Sequence, residues 1–414
     1  MSGRALAGVR VIELSEVWAG PVGGSLLGDL GADVIKVESY PRFSPTRPID
    51  PNDWRVAPGE GPAYEHSWAQ HQGNRNKRNM AINLRREEGA AALRRLLRRA
   101  DVVIDSFSAG TMEKLGFDWP RMHSDAPRLI RLSLPGWGLS GPYQGYVSFG
   151  GGFDCVTGHT AVRGYPWRGV EETSPITHSD ATVPLHIVFA VVTALREREV
   201  TGEGMLVDLS QVEELATQIP GVLAEWTLNE RLPARVGNGE QHVVPHDCYR
   251  AAGEDRWVVL AAEDDAQWGA LARALGHEEW AEDGHPWATV VGRLRDREAV
   301  DAALSEHAAG QEPEVLADRV QEEGAVAAAV AGPQEMLLSP QLNARGWFPT
   351  IDHPYTGPRI QAGFLWRFAP DSPSWDLPCG LVGEYNRELL REHGYDDAEI
   401  DRLEAEGVIG DSYG

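Results

Sequence analysis

The chain has 414 residues, with 62 acidic side chains against 38 basic ones and a formal net charge of −24. This balance disfavours nucleic acid and anionic membrane surfaces as partners, and the length allows two or three domains. The three cysteines are far apart and match no metal-ligand spacing, which predicts a reducing compartment and no structural zinc. No apolar run reaches membrane-spanning length and no apolar signal core stands at the N-terminus, so a cytoplasmic protein without a membrane partner is expected.

A β-rich run, Val9 to Leu14, is followed by a glycine-rich turn, a helical stretch and a second β-rich run that ends at Glu38. This succession predicts the β-α-β unit of a doubly wound parallel sheet. Glu38 stands where a dinucleotide-binding fold keeps its ribose-binding acid, but the glycines from Gly20 to Gly28 do not have the Gly-x-Gly-x-x-Gly spacing. A Rossmann-like fold without a nicotinamide site is the preferred interpretation, and a nicotinamide-dependent oxidoreductase is an alternative.

A basic cluster follows a long stretch, residues 41 to 73, that is rich in Pro, Gly and aromatic residues. The cluster lies on both sides of a predicted strand, Met80 to Leu84, and comprises Arg75, Lys77, Arg78, Arg85 and Arg86. Open α/β sheets bind ligands near strand ends, and basic side chains suit phosphates. The cluster is therefore a candidate phosphate site, with a solvated helix face as the alternative.

Further strand patterns alternate with helical stretches up to residue 209, which makes the N-terminal half α/β. The strands are predicted at Ala100 to Ser106 and Arg128 to Leu134. Beyond them, the patterns around Tyr249 and Trp257 and the Ala/Glu-rich helices up to Glu323 predict a smaller α+β domain. A polar helix, Glu384 to Gly407, is predicted near the C-terminus.

The most apolar stretch, Leu185 to Leu195, is broken only by His186 and Thr193. It is too apolar for a surface helix, so a buried helix is predicted. Asp180 then lies at the N-terminus of this helix, and two interpretations are open. The carboxylate either caps the first free N–H groups or is a reactive group at the mouth of a pocket, which the apolar helix keeps rigid and partly dry.

Six phrases carry a family resemblance and follow one another over nearly the whole chain: Leu6–Leu14, Leu30–Glu38, Asn76–Arg78, Ala100–Ile104 with Lys114–Phe117, Asp180 with Thr201–Gly204, and Leu381–Glu384. Together they resemble the class III CoA-transferases of the CaiB/BaiF type. That family includes formyl-CoA transferase, carnitine CoA-transferase and α-methylacyl-CoA racemase. The order of the phrases makes the resemblance more specific than any one of them.

The resemblance implies an α/β fold whose Rossmann-like large domain is built from N- and C-terminal parts, with a smaller α+β domain between them. Residues 1–225 are then the large, CoA-binding domain, residues 226–330 the small domain, and residues 331–414 a return segment that completes the large domain. The resemblance also implies a homodimer of two interlocked rings.

The activity implied by the resemblance is transfer of CoA from an acyl-CoA donor to a carboxylic acid acceptor. Asp180 matches the nucleophile of the family, which passes through an aspartyl anhydride and an aspartyl-CoA thioester. A carboxylate suits this chemistry because it is ionised at neutral pH and needs no separate general base. Coenzyme A and acyl-CoA are substrates, so no tightly bound cofactor and no metal are expected.

The residues that match CoA contacts of the family are Val17, Trp18 and Ala19, then Asn83, Leu84 and Arg85, then Ser106, Phe107 and Lys114, and finally Gly237 and Gly239. The last two resemble a glycine loop whose N–H groups stabilise an oxyanion. Two departures are Ser39, which replaces a basic phosphate contact, and Ser179, which replaces a glycine and narrows the pocket. Gly150 to Gly152 lack the acidic residue of formyl-CoA transferase and are expected to leave room for a bulkier acyl group.

An acyl-CoA racemase of the same fold is the nearest alternative. Relatives with that activity carry His-Asp-Ile-Asn-Tyr where this chain has Phe149 to Phe153, so the proton-transferring histidine is missing. Asp154 is a weak candidate to replace it. The sequence does not name the acyl groups, although the Trp and Gly residues near the pocket favour an acid larger than formate or oxalate, either aromatic or dicarboxylic. Succinyl-CoA is one candidate for the donor.

Overall fold

The computed structural model describes residues 4–173, 176–369 and 373–413. They form two compact units. The first takes the described residues of Met1–Gly158, Pro175–Pro220 and Ala344–Gly414, and the second takes those of His159–Ser174 and Gly221–Asn343.

A six-stranded parallel sheet forms the centre of the first unit, in the order β3-β2-β1-β4-β5-β6. Its strands are β1 (Arg10–Leu14), β2 (Asp33–Ser39), β3 (Lys77–Ile82), β4 (Val102–Asp105), β5 (Ile130–Ser133) and β6 (Leu206–Asp208). The first five are almost wholly buried, as expected for parallel strands covered by helices on both faces. This order is that of the doubly wound dinucleotide-binding fold, so the predicted α/β class with a parallel sheet is confirmed.

Helices surround this sheet and make up most of the second unit. In chain order they are α1 (Ala19–Asp29), α2 (Trp68–Gly73), α3 (Glu87–Leu97), α4 (Thr111–Lys114), α5 (Trp119–Asp125), α6 (Gly150–Val156), α7 (His159–Val162), α8 (His178–Thr201), α9 (Gln211–Ala216), α10 (Pro220–Asn229), α11 (Asp265–Leu275), α12 (Val290–Arg295), α13 (Arg297–Ala309), α14 (Pro313–Glu322), α15 (Pro333–Leu338), α16 (Pro340–Ala344), α17 (Asn386–Glu392) and α18 (Asp397–Ala405).

The two faces of the parallel sheet bury different helices, because successive side chains of a strand point to opposite sides. Ile12 belongs to the core with α3, α17 and α18, where Leu93 and Leu390 are fully buried. Val11 belongs to the core with α1 and α8, where Leu27 and Ile187 are fully buried. The predicted helix near the C-terminus is in fact two helices, because Gly394 follows α17 with a φ of 84°.

Helix α8 is buried on one face only. Ile187 lies against α1, where an added Cβ on Gly23 would come within 2.7 Å of its Cδ1. On the opposite face Phe189 is 71% exposed, and Leu185 and Val192 are also exposed. The prediction of a buried helix is therefore correct for one face only, since no described residue of the first unit buries this second apolar face. By length and composition alone α8 could cross a membrane, but the core helix of a globular protein passes the same test.

The second unit contains an antiparallel sheet of β7 (His246–Arg250), β8 (Trp257–Ala261) and β9 (Val326–Ala329), packed on α11, α13 and α14 around the fully buried Trp268. The first unit adds an antiparallel hairpin, β10 (Thr350–His353) and β11 (Gly357–Ile360). Strands β7 and β8 include the two segments, around Tyr249 and Trp257, on which the predicted α+β domain was based, whereas β9 and the hairpin were not predicted.

Candidate functional site

The predicted site residues of the first unit follow strand ends. Residues 17–19 come after β1, residues 83–85 after β3, and residues 106–107 after β4. Because the strands are parallel, these ends lie at one edge of the sheet, where open α/β sheets bind ligands. The N–H of Glu16 donates to Ser106 Oγ at 3.0 Å and joins the exits of β1 and β4. Lys114 ends α4 and is exposed.

A cavity of about 620 Å³ opens at this carboxyl edge, within the size range of small-molecule sites. Four of the predicted residues line it, namely Asn83, Leu84, Arg85 and Phe107. The other five predicted residues of this edge are near the strand ends but are not part of the lining: Val17, Trp18, Ala19, Ser106 and Lys114.

Arg42 also lines the cavity, and the sequence analysis missed it. Its Nη2 donates to Glu16 Oε2 at 2.7 Å, and its side chain is 66% exposed. An exposed ion pair is weak, so a phosphate group can replace the carboxylate at little cost. The signal in the sequence was that Arg42 is the first basic residue after Ser39, the position where the family has a phosphate contact.

Glu38 is part of the core and does not offer a free carboxylate to a ribose. Arg47 donates to its two oxygens at 2.7 and 2.9 Å, and Asn79 Nδ2 donates at 2.7 Å. All three side chains are buried. The nicotinamide alternative therefore loses the residue on which it depended.

Most of the predicted basic phosphate cluster is at the wrong end of β3. Arg75 pairs with Asp29, Lys77 with Glu13, and Arg78 with Asp33 and Glu392, all at 2.6 to 2.8 Å. These three residues lie just before β3 or in its first two positions, so the prediction that they bind phosphate is wrong. Of the five basic residues, Arg85 is the one that lines the cavity.

Asp180 lies at the same carboxyl edge as the cavity. Helix α8 leads into β6, which runs parallel to β5, so its C-terminus is at the amino edge and its N-terminus at the carboxyl edge. Asp180 is the third residue of α8, and its N–H donates to the carbonyl of Thr177 at 3.0 Å. Thr177 occupies the N-cap position, so the interpretation of Asp180 as the capping residue is wrong.

Two β-branched residues at this edge have left-handed backbone conformations. Val17, before α1, has a φ of 72°, and Thr177, before α8, has a φ of 55°. This region is unfavourable for a β-branched side chain and persists only where the surroundings impose it. Both residues adjoin segments that were predicted to contact substrate.

Helix α6 packs directly against the Asp180 carboxylate. A Cβ added to Gly150 would lie 2.7 Å from Asp180 Oδ2 and 2.8 Å from Thr177 Cβ. The corresponding position on Gly152 would be 2.0 Å from Ser148 Oγ. Protein side chains thus occupy the space beside Gly150 and Gly152, so these two glycines do not leave the expected room for a larger acyl group.

Asp154, one turn further along α6, is fully buried. Its Oδ2 accepts from the N–H groups of Ile176 and Thr177 at 3.2 and 3.1 Å, and its Oδ1 accepts from the N–H of His178 at 3.3 Å. His178 Nδ1 is also 3.3 Å from Oδ1. Burial alone would raise the pKa of Asp154, but the N–H of Ile176 and the contacts of His178 outweigh it, and the pKa is lowered.

The pKa of Asp180 is raised to about 6, first by burial and then by the negative charge of Asp154. At pH 7 most molecules still carry the ionised carboxylate. A carboxylate of higher pKa is a stronger nucleophile than an ordinary aspartate. The N-terminal end of a helix favours the anion and works in the opposite direction, but here burial and Asp154 have the larger effect.

The predicted glycine loop belongs to the second unit. The N–H of Gly237 donates to the carbonyl of Gly164, and the N–H of Gly239 to that of Val236, both at 3.0 Å. Gly237 has a φ of 62°, and a Cβ there would lie 2.3 Å from the ring of Tyr165. Both N–H groups are engaged in this conformation, so the role of the loop towards an oxyanion stays a prediction.

A half-buried carboxylate of raised pKa, at the ligand-binding edge of a doubly wound sheet, indicates an α/β enzyme that uses a carboxylate for catalysis. The sequence profile described as CoA-transferase family III matches residues 6–381. The chain belongs to this family and is a class III CoA-transferase.

Relatives and a solved structure agree with this assignment. A succinyl-CoA–D-citramalate CoA-transferase of Chloroflexus aurantiacus is 29% identical, over 98% of each chain. A succinate–glutarate CoA-transferase of Agrobacterium fabrum is 30% identical, over 94% of this chain and 95% of that one. The crystal structure of a CaiB/BaiF family protein from Brucella suis is 28% identical with a TM-score of 0.85, over 95% of this chain and 100% of that one.

Proposed function

We propose that Asp180 is the nucleophile of this CoA-transferase. Its Oδ attacks the thioester carbonyl of the donor, the C–S bond breaks, and CoA leaves as a thiolate. The thiolate then attacks the Asp180 carbonyl carbon of the mixed anhydride and releases the donor acid as its carboxylate. The acceptor carboxylate then attacks the resulting aspartyl thioester, which breaks its C–S bond, expels the thiolate and forms a second mixed anhydride. The thiolate attacks the acceptor carbonyl carbon of this anhydride, which gives the acceptor-CoA thioester and frees the Asp180 carboxylate, so the thioester bond is exchanged without ATP.

The observation that carries this proposal is the raised pKa of Asp180 at the carboxyl edge of the sheet. A pKa of about 6 combines a largely ionised state at pH 7 with increased basicity. A racemase needs a proton-transfer group on each side of the α-carbon. The side chain of Phe149, at the position of the racemase histidine, has no exchangeable proton and is exposed, so CoA transfer is better supported than racemisation.

The CoA moiety would bind along the cavity at the carboxyl edge. Arg85 and Arg42 would contact its phosphates, and Phe107 would pack against its apolar parts. Val17, Trp18, Ala19, Asn83, Leu84, Ser106 and Lys114 remain proposed contacts of the same edge, and Gly237 and Gly239 proposed contacts of the second unit. CoA esters are then substrates, and no tightly bound cofactor is required.

We propose a dicarboxylic acid as acceptor and succinyl-CoA as donor. Support comes from the relatives described above, whose names pair succinyl-CoA or succinate with citramalate or glutarate. Incubation of the protein with succinyl-CoA and a panel of mono- and dicarboxylic acids, followed by chromatography of the CoA esters, would test this choice.

A homodimer of interlocked chains is also proposed, with residues 1–225 and 331–414 as the large domain and 226–330 as the small one. The two compact units divide the chain at other residues, with His159–Ser174 and Gly221–Asn343 in the second unit. The exposed apolar face of α8, with Leu185, Phe189 and Val192, is suited to burial against a second copy. Light scattering after size-exclusion chromatography would refute the dimer if it gave the mass of one chain. A cytoplasmic location is proposed from the small number of cysteines and their wide separation in the sequence.

Trapping tests the nucleophile directly. The protein is incubated with an acyl-CoA, treated with hydroxylamine or borohydride, digested and examined by mass spectrometry. Modification is expected on the peptide that contains Asp180 and is expected to be absent from Asp180→Ala. Label on another side chain, or normal turnover by Asp180→Ala, would refute the proposal.

A further inference from the structure

Helix α6 holds the first turn of α8 at two points that are one helical turn apart. Gly150, its first residue, packs against the carboxylate of Asp180 and the side chain of Thr177. Asp154, four residues later, accepts hydrogen bonds from the N–H groups of Ile176, Thr177 and His178. Both contacts therefore hold residues 176–178, the short segment that precedes Asp180, or Asp180 itself.

This segment needs an external partner because its backbone conformation is unfavourable. Thr177 is β-branched and has a φ of 55°. Hydrogen bonds to an ionised carboxylate are stronger than those to neutral acceptors, and Asp154 receives three from consecutive residues. A fully buried carboxylate with this many backbone donors is suited to fix the turn in one conformation.

We propose that Asp154 is a positioning residue for CoA transfer, which fixes the 176–178 turn so that the Asp180 carboxylate faces the thioester carbonyl, with Gly150 providing the space for that carboxylate. This inference rests on the proposed function of Asp180 as the nucleophile. Asp154 does not contact the reacting atoms, and its action on them is through the turn and through its charge.

The charge of Asp154 gives the proposal a readout that a merely structural role would lack. Removing that charge lowers the pKa of Asp180 towards its ordinary value, although burial still raises it. The other titratable groups near this end of α8, among the described residues, are His178 and His186 on α8 itself and Glu214 on α9, which is 3.2 Å from His186 Nδ1. Helix α1 places Asp29 at its far end, paired with Arg75.

The experiment compares Asp154→Asn, Asp154→Ala and Gly150→Ala with wild type, using kcat, KM for the acyl-CoA, the acid limb of the pH profile and thermal stability. Gly145→Ala is the matched control, because its added Cβ would meet no atom within 4 Å. Asp154→Asn is expected to lower kcat about 10-fold and Asp154→Ala about 100-fold, with KM changed less than about twofold. The acid limb of Asp154→Asn should move to lower pH. Gly150→Ala should lower kcat without moving that limb, and Gly145→Ala should match wild type.

Two results would overturn the inference. One is wild-type kcat and an unshifted acid limb in both Asp154 variants. The other is a loss of kcat that only follows a loss of thermal stability and CoA affinity, with the acid limb of Asp154→Asn unmoved, since that describes a structural residue. Asp180→Ala distinguishes a failure of the proposed nucleophile from a failure of the proposed positioning role of Asp154. If it stays active, the proposed nucleophile is wrong, whereas an inactive Asp180→Ala beside fully active Asp154 variants refutes the positioning role alone.

Discussion

At the amino edge of the parallel sheet, opposite charges meet. Asp33 accepts from Arg10 Nε and from Arg78 Nη2, both at 2.8 Å, and Glu392 lies 2.6 Å from Arg78. At the carboxyl edge, like charges meet, because the charge of Asp154 raises the pKa of Asp180. The first arrangement stabilises ionised groups and leaves them unreactive, whereas the second makes one carboxylate more basic. If Asp180 is the nucleophile, as proposed, the two edges of one sheet separate stability from catalysis.

The largest expected effect contrasts one aspartate from each edge. Asp180→Ala should lower kcat on the order of 10³-fold or more, because it removes the attacking atom, with little change in thermal stability. Asp33→Ala should leave kcat within about twofold of wild type and lower the free energy of unfolding by about 1 kcal/mol, since its ion pairs are partly exposed. Steady-state kinetics and urea unfolding of both variants measure this. An equal loss of turnover in the two variants would contradict the separation of the edges.

The pH dependence of turnover tests the like-charge arrangement. Protonated Asp180 cannot attack a thioester, so kcat/KM should fall about tenfold for each pH unit below about 6 and be constant above it. The measurement is kcat/KM between pH 4.5 and 8. An acid limb centred near pH 4, as for an ordinary aspartate, would show that neither burial nor Asp154 acts on the nucleophile.

A loss of activity at low pH could also come from acid unfolding, and a variant of His71 separates the two effects. Burial lowers the pKa of His71 to about 4, and its ring centroid lies 4.2 Å from that of His353. The unfolded chain, with a histidine pKa near 6.5, binds more protons, so this stability is complete above pH 6.5 and is lost as the pH falls through about 4. His71→Gln should recover about 2 kcal/mol of the stability lost between pH 7 and pH 5 without moving the acid limb of activity. Urea unfolding at both pH values measures the change, and unaltered acid sensitivity would contradict it.

The smallest effect compares two arginines at opposite ends of β3. Arg85→Ala should raise KM for the acyl-CoA about 5- to 20-fold, equivalent to about 1–2 kcal/mol, through loss of a charge-assisted phosphate contact. Arg78→Ala is the matched control, and it should leave KM unchanged and lower stability instead, because its partners are Asp33 and Glu392. If the two variants had exchanged phenotypes, the phosphate site would lie at the amino edge.

The sequence predicted the strands of the large sheet well, because β1 to β5 are short apolar runs bounded by turn residues. The sequence does not show that Arg78 forms an ion pair with Glu392, which is more than 300 residues away. The phosphate site was therefore predicted at the wrong end of β3. Strand β9, with the sequence Val-Ala-Ala-Ala, has weak strand propensity and was missed because its pairing with β8 is a tertiary effect.

The candidate site was predicted only in part, again because contacts between distant segments cannot be seen in the sequence. Asp180 and its place at a helix start followed from the apolar run and the family resemblance. The left-handed Thr177 was not predictable, since threonine disfavours that conformation. Nor was the contact of Gly150 with Asp180, because nothing local indicates that α6 packs on α8 thirty residues later. Contacts between distant segments decide both features.

The position of α17 and α18 bears on how the protein is synthesised. Leu390, Leu403 and Ile409 are fully buried in the same core as Ile12 and Met80, and Ile409 pairs with Ile82 of β3. Helix α3 covers part of this face of the parallel sheet, and the rest stays uncovered until the ribosome has delivered these residues. Ribosome-bound chains arrested before residue 386 should therefore be more sensitive to protease at β3 than the complete protein is.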